Sequence, residues 1–127
     1  MPGAFLPTVL IVDDDPGFVS FVSDWLETSG YAAVIATNAD EGTQLARTFQ
    51  PDLILLDLAI PGRSGLDVLR EFKQAQRTRD IPVVVVSGYA RLMSSGDARL
   101  ADGVLEKPIG ASTLLEVVGR AVRGRST

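Results

Sequence analysis

Val9-Leu10-Ile11-Val12-Asp13-Asp14-Asp15-Pro16 sets an apolar run directly against a run of acids, and Leu53-Ile54-Leu55-Leu56-Asp57 repeats the arrangement. Short runs of β-branched residues and leucine suit strands covered on both faces by helices. If both runs are parallel strands of one sheet, their carboxyl ends lie side by side and bring Asp13, Asp14 and Asp57 together at one edge. Charge repulsion makes such a cluster costly unless a cation fills it, so the pattern points to a metal site.

Further apolar runs over 31–36, 83–86 and 104–106 alternate with amphipathic stretches, which predicts strand then helix, repeated five times. The first helix opens on Asp15-Pro16, a side-chain cap followed by proline at the first helical position, and closes at Gly30. Phe18, Phe21, Val22, Trp25 and Leu26 fall at helical spacing as its core-facing stripe. Helices are also predicted over 40–49, 65–75 and 111–122, with Leu66, Leu69 and Phe72 inward in the third and Leu114, Leu115, Val118 and Val122 inward in the fifth. The segment 89–100 carries Ser94, Ser95 and Gly96, poor residues for a helix interior, so the fourth helix is expected to be short, frayed or mobile. Right-handed crossovers then give an α/β fold, an open doubly wound five-stranded parallel sheet, as a single domain over 1–127 with its core at about 8–123.

Composition narrows the chemistry. The chain has 127 residues, 46% of them hydrophobic, enough for one proper core. It has no histidine and no cysteine, which removes a Ser-His-Asp hydrolase, a histidine-ligated metal enzyme, a phosphohistidine carrier, disulfides and zinc-cysteine sites. The net charge of −4 and scattered basic residues argue against a nucleic-acid surface. Arg120, Arg123 and Arg125 are the nearest thing to a basic patch and are read as complementing a helix C-terminal dipole. No apolar run reaches membrane-spanning length and 1–8 lacks the pattern of a signal peptide, so the expected location is the cytoplasm, with neither nucleic acid nor membrane as partner. The given sequence stops soon after the fifth helix, so no output domain is expected within these 127 residues.

Val12-Asp13-Asp14, then Asp57-Leu58-Ala59-Ile60-Pro61 with Gly65 eight positions after the aspartate, then Val86-Ser87-Gly88, and finally Lys107-Pro108 each follow their own strand. Together and in this order they resemble the receiver domain of two-component response regulators, over 9 to about 122. The resemblance implies a (βα)5 flavodoxin-like receiver fold in which Asp57 accepts a phosphoryl group from the phosphohistidine of a sensor histidine kinase or histidine phosphotransfer protein. It implies Mg2+ held by Asp14, Asp57 and the Ala59 backbone carbonyl, with Asp13 acting through water, and Lys107 and Ser87 on the phosphoryl oxygens. A cis bond is usual at the position of Lys107-Pro108. The chain would be no enzyme beyond its own phosphorylation and dephosphorylation at Asp57, and would switch the binding of a downstream protein to the face of helix four, strand five and helix five.

This chain departs from the family pattern at Ser87-Gly88, at Ile60, where a methionine is common and the exchange is apolar for apolar, and at Val104. The switch hydroxyl is Ser87 followed by Gly88, where threonine and alanine are usual, so it is less firmly positioned. Val104 stands where receivers usually carry a Tyr or Phe that swings inward. Ala59 and Tyr89, which by resemblance flank the path of attacking water, carry no acid or amide to orient it, so slow self-dephosphorylation is expected. Two other readings share parts of the pattern. Asp13-x-Asp15 matches the paired aspartates of a small haloacid-dehalogenase-type phosphohydrolase, and Val104 suits a pseudo-receiver that binds partners without phosphorylation.

Overall fold

The computed structural model describes residues 6–126, and the side chains of 6–124. Most of the 1–8 stretch read for a leader, and the Arg125 side chain, lie outside the described residues. The strands β1 Thr8–Val12, β2 Ala32–Ala36, β3 Leu53–Leu56, β4 Val83–Ser87 and β5 Gly103–Glu106 form one parallel sheet in the order β2-β1-β3-β4-β5. This is the expected doubly wound α/β architecture, with its topological switch point between β1 and β3.

Strand alternation sorts the core into two layers. Val9, Ile11, Leu53, Leu55, Val84 and Val86 pack on the face covered by α1 Pro16–Thr28 and α5 Ala111–Ser126, against Val22, Leu26, Leu114 and Val118. Leu10, Val12, Ile54, Leu56, Val83 and Val85 take the other face, under α2 Ala39–Phe49 and α3 Gly65–Gln74, against Ala46, Leu69 and Phe72. Burying each such Val, Leu or Ile stabilises the fold by roughly 1.5–3 kcal/mol, and the central strands β1, β3 and β4 have almost no exposed side chain to weaken the sum.

Local chemistry sets the helix ends. Asp15 accepts hydrogen bonds from Gly17 N and Phe18 N, as expected of the cap before Pro16. The second helix starts at Ala39 rather than 40, because Asn38 accepts from Glu41 N at 2.8 Å while Glu41 reaches back to Thr37 N at 2.7 Å, a reciprocal cap. The fourth helix is short, as expected: a 3-10 turn Ala90–Leu92 precedes α4 Ser95–Leu100, which buries no residue. The fifth runs on past 122 to Ser126.

One expectation about α1 fails. Phe21 is 64% exposed, not inward, and stacks on Trp25 with ring centroids 6.3 Å apart. The line that faces the sheet is Val19, Val22 and Leu26, spaced by three and four, which leaves Phe21 at the margin of the stripe.

Candidate functional site

Each candidate side chain sits where a strand's ladder runs out at the carboxyl edge. Asp13 N donates to Ala36 O and Asp57 N to Val12 O, both at 3.0 Å, so the two acids extend β1 and β3 side by side at the switch point. Lys107 N donates to Ser87 O at 3.1 Å, which sets the residue after β5 beside the end of β4. The peptide Lys107-Pro108 is cis, as the resemblance implies. Beneath Asp57 the β3–α3 loop folds back so closely that a Cβ at Gly65 would collide with the Leu58 backbone, and Gly62 holds a φ of +103° that favours glycine.

The Lys107 ammonium joins the two acids, donating to Asp13 Oδ2 at 2.8 Å and to Asp57 Oδ2 at 3.0 Å. Asp57 Oδ1 accepts from Ala59 N at 3.1 Å, and Asp13 Oδ1 accepts from Asp15 N at 2.9 Å. Asp13 is 1% and Asp57 8% exposed. Burial pushes Asp13 above the ordinary carboxylate range, and the charge of Asp57 adds to this, while Lys107 and the Asp15 amide pull the other way. Burial works against the Lys107 ammonium as well, but its hydrogen bonds to Asp13 and Asp57 outweigh it and hold the lysine above its ordinary value.

Ser87 is fully buried, its hydroxyl oxygen accepting from Tyr89 N at 3.2 Å. Ala59 and Tyr89 line an apolar recess of about 340 Å³ with Leu58, Leu66, Leu92 and Met93, and Tyr89 remains 56% exposed. Val104 is 37% exposed on β5.

The expected gathering of three acids is only partly met. Asp13 and Asp57 meet at one ammonium, whereas Asp14 stands on the exposed rim, and among the described residues no three acidic side chains form a metal-holding group. The lysine supplies the positive charge that the buried pair requires. The donor chemistry still fits Mg2+, a hard cation that takes one or two carboxylates and keeps several waters. Asp15 is spent capping α1, which removes it from the paired-aspartate role that a phosphohydrolase would give it.

Sequence reasoning missed one residue of the site. Phe18, read as core alone, lies with its ring 4.0 Å from the Lys107 ammonium. The available signal was its place in the first turn of a helix that starts at the sheet's carboxyl edge.

Comparison with known proteins agrees with this geometry. The family described as the response regulator receiver domain matches residues 9–119. The polar-differentiation response regulator DivK of Brucella anthropi is 35% identical over 115 residues, which cover 87% of this chain and 92% of that protein. The DNA-binding dual master transcriptional regulator RpaA of Synechocystis sp. is 36% identical over 120 residues, 93% of this chain, and the chain spans about half (50%) of that regulator's length. Among solved structures, a CheY-like response regulator receiver domain protein from Methanospirillum hungatei superposes with a TM-score of 0.85 at 26% identity, over 96% of this chain and 98% of that one. Among the described residues no helix is long and apolar enough to cross a membrane.

Proposed function

Because this chain belongs to the response regulator receiver domain family, we propose that it is the phosphoacceptor of a two-component phosphorelay, taking a phosphoryl group on Asp57 from the phosphohistidine of a sensor histidine kinase or histidine phosphotransfer protein. Receiver domains are in general signal transducers rather than enzymes. On this reading the chain catalyses only its own phosphorylation and dephosphorylation, in the cytoplasm, and passes the signal by changing its affinity for a downstream protein at the α4, β5 and α5 face. The single observation that carries the reading is the bridge from Lys107 to both Asp13 and Asp57 at the switch point of the sheet.

The chemistry follows from the charges. A carboxylate oxygen of Asp57 attacks phosphorus as the P–N bond to the donor imidazole breaks, and the imidazole leaves with the bonding electron pair and takes up a proton. Carboxylate is a weak nucleophile, so the transfer depends on alignment and on cancelling charge at the phosphoryl oxygens. Lys107 stays protonated and supplies a point charge to one of those oxygens. Ser87 donates its hydroxyl hydrogen to another, and the Ala59 N–H holds Asp57 in place. Asp14, Asp57 and the Ala59 carbonyl would hold Mg2+, with Asp13 acting through water. When bound, the ion supplies Lewis-acid neutralisation of phosphoryl charge.

Incubation with a small phosphodonor such as acetyl phosphate, with Mg2+ or with a chelator, followed by peptide mass spectrometry, tests the proposal. One phosphoryl group on the peptide containing Asp57, formed only with the metal, is expected. Turnover of a phosphomonoester without labelling would contradict it.

A further inference from the structure

Lys107 has a long path to its partners. It leaves the edge strand β5, with β4 and β3 between it and the Asp13 that ends β1. Its stem is four flexible carbons, and holding such a side chain in one place costs rotamer entropy. Besides the two carboxylates, the Phe18 ring lies against the ammonium, with its centroid 4.0 Å away. A cation at that distance from an aromatic face is attracted by the ring's quadrupole, more strongly when partly shielded from water, and the Lys107 side chain is 19% exposed. The ring itself has little freedom. Phe18 N donates to the Asp15 cap at 3.4 Å, and the side chain packs on the core layer beneath α1.

Resting on the phosphoacceptor reading, we propose that Phe18 is a positioning residue for Lys107, its ring face keeping the ammonium at the acceptor carboxylate while the charges around it change. Phosphorylation converts Asp57 from a carboxylate to an acyl phosphate, and a metal bound nearby draws on the same acids, so Lys107 must exchange its two carboxylate contacts for phosphoryl oxygens as the reaction proceeds. The ring is unchanged throughout. It holds the ammonium over the phosphoryl oxygens instead of letting it swing outward, and so acts on the rate of phosphorylation through Lys107 without touching the phosphoryl group.

The sequence contains only two lysines, Lys73 and Lys107, so lysine-selective isotope labelling gives two readily assigned sets of signals. In the wild type, the ε-methylene protons of Lys107 are expected to be shifted upfield by the Phe18 ring current, with Lys73 as the internal standard. Phe18→Leu should abolish that shift and slow labelling by acetyl phosphate and Mg2+ roughly three- to tenfold, at a melting temperature that shows the fold intact. Phe18→Tyr, which keeps the ring, should restore both. An unshifted Lys107 signal in the wild type would overturn the proposal, and so would an unchanged labelling rate in Phe18→Leu. A slower rate in Phe18→Leu with the nuclear Overhauser contacts from the Lys107 ε-methylene to its other neighbours unchanged would assign the loss to packing and overturn it too. If the wild type takes up no phosphate, the phosphoacceptor reading fails on its own, and the Lys107 signals decide the placement of the ring.

Discussion

At Asp13, burial and charge pull against each other. Its pKa is raised chiefly by burial, so the folded protein holds that proton to higher pH than the unfolded chain does. The stability linked to this group is therefore present below the unfolded value and lost as pH rises through the folded one, which leaves ionised Asp13 a net cost at neutral pH. Asp13→Asn is expected to raise stability at pH 7 without divalent cation, by on the order of 1 kcal/mol or roughly 4 °C in melting temperature, and to lose most of that advantage near pH 3. Thermal unfolding at the two pH values checks both the sign and the window. A second residue-scale expectation concerns lifetime. Ala59 and Tyr89 offer no acid or amide to orient a water, and Tyr89 stands at an apolar recess, so the acyl phosphate is expected to decay slowly. Ala59→Asn combined with Tyr89→Glu should speed the decay at least several-fold by following phosphate release, and an unchanged rate would refute the account.

Among the elements, α1 and α4 carry opposite assignments. The Asp15 cap organises the first turn of α1, so Asp15→Ala is expected to cost about 1 kcal/mol of stability with little loss of Mg2+ affinity. Asp14→Ala should do the reverse, and calorimetric titration beside denaturant unfolding separates the two. In α4, six residues with none buried make an element that is easy to displace. On the phosphoacceptor reading, Val104 has no ring to swing, so Ser87 and the loop from Gly88 to Ala90 are expected to provide the contact that differs between states. Ser87→Ala should uncouple phosphorylation from protection of 88–100 in amide exchange, while Val104→Ala should leave that response largely in place. Equal behaviour of the two variants would contradict this assignment.

Over the whole molecule, the architecture was legible because the chain writes each strand as an unbroken apolar run and ends it with a polar residue. Val12 before Asp13, Leu56 before Asp57 and Val86 before Ser87 place the site at one sheet edge before any contact is known. What was not legible depends on angles within a helix and on reach across the sheet. Phe21 differs from Val22 by one position on α1, enough to put its ring in solvent, and Phe18 meets Lys107 across 89 positions of sequence, a pairing that no spacing rule encodes. The expected cluster of three acids was likewise drawn without the lysine that comes between two of them. The central claim, that these residues converge on Asp57 to make it the phosphoryl acceptor, is tested most directly by intact-mass spectrometry of the wild type and Asp57→Asn after incubation with acetyl phosphate and Mg2+. The wild type is expected to gain the mass of one phosphoryl group and Asp57→Asn, folded by its melting curve, to gain none. Undiminished acid-labile phosphate on the Asp57→Asn protein would contradict the account.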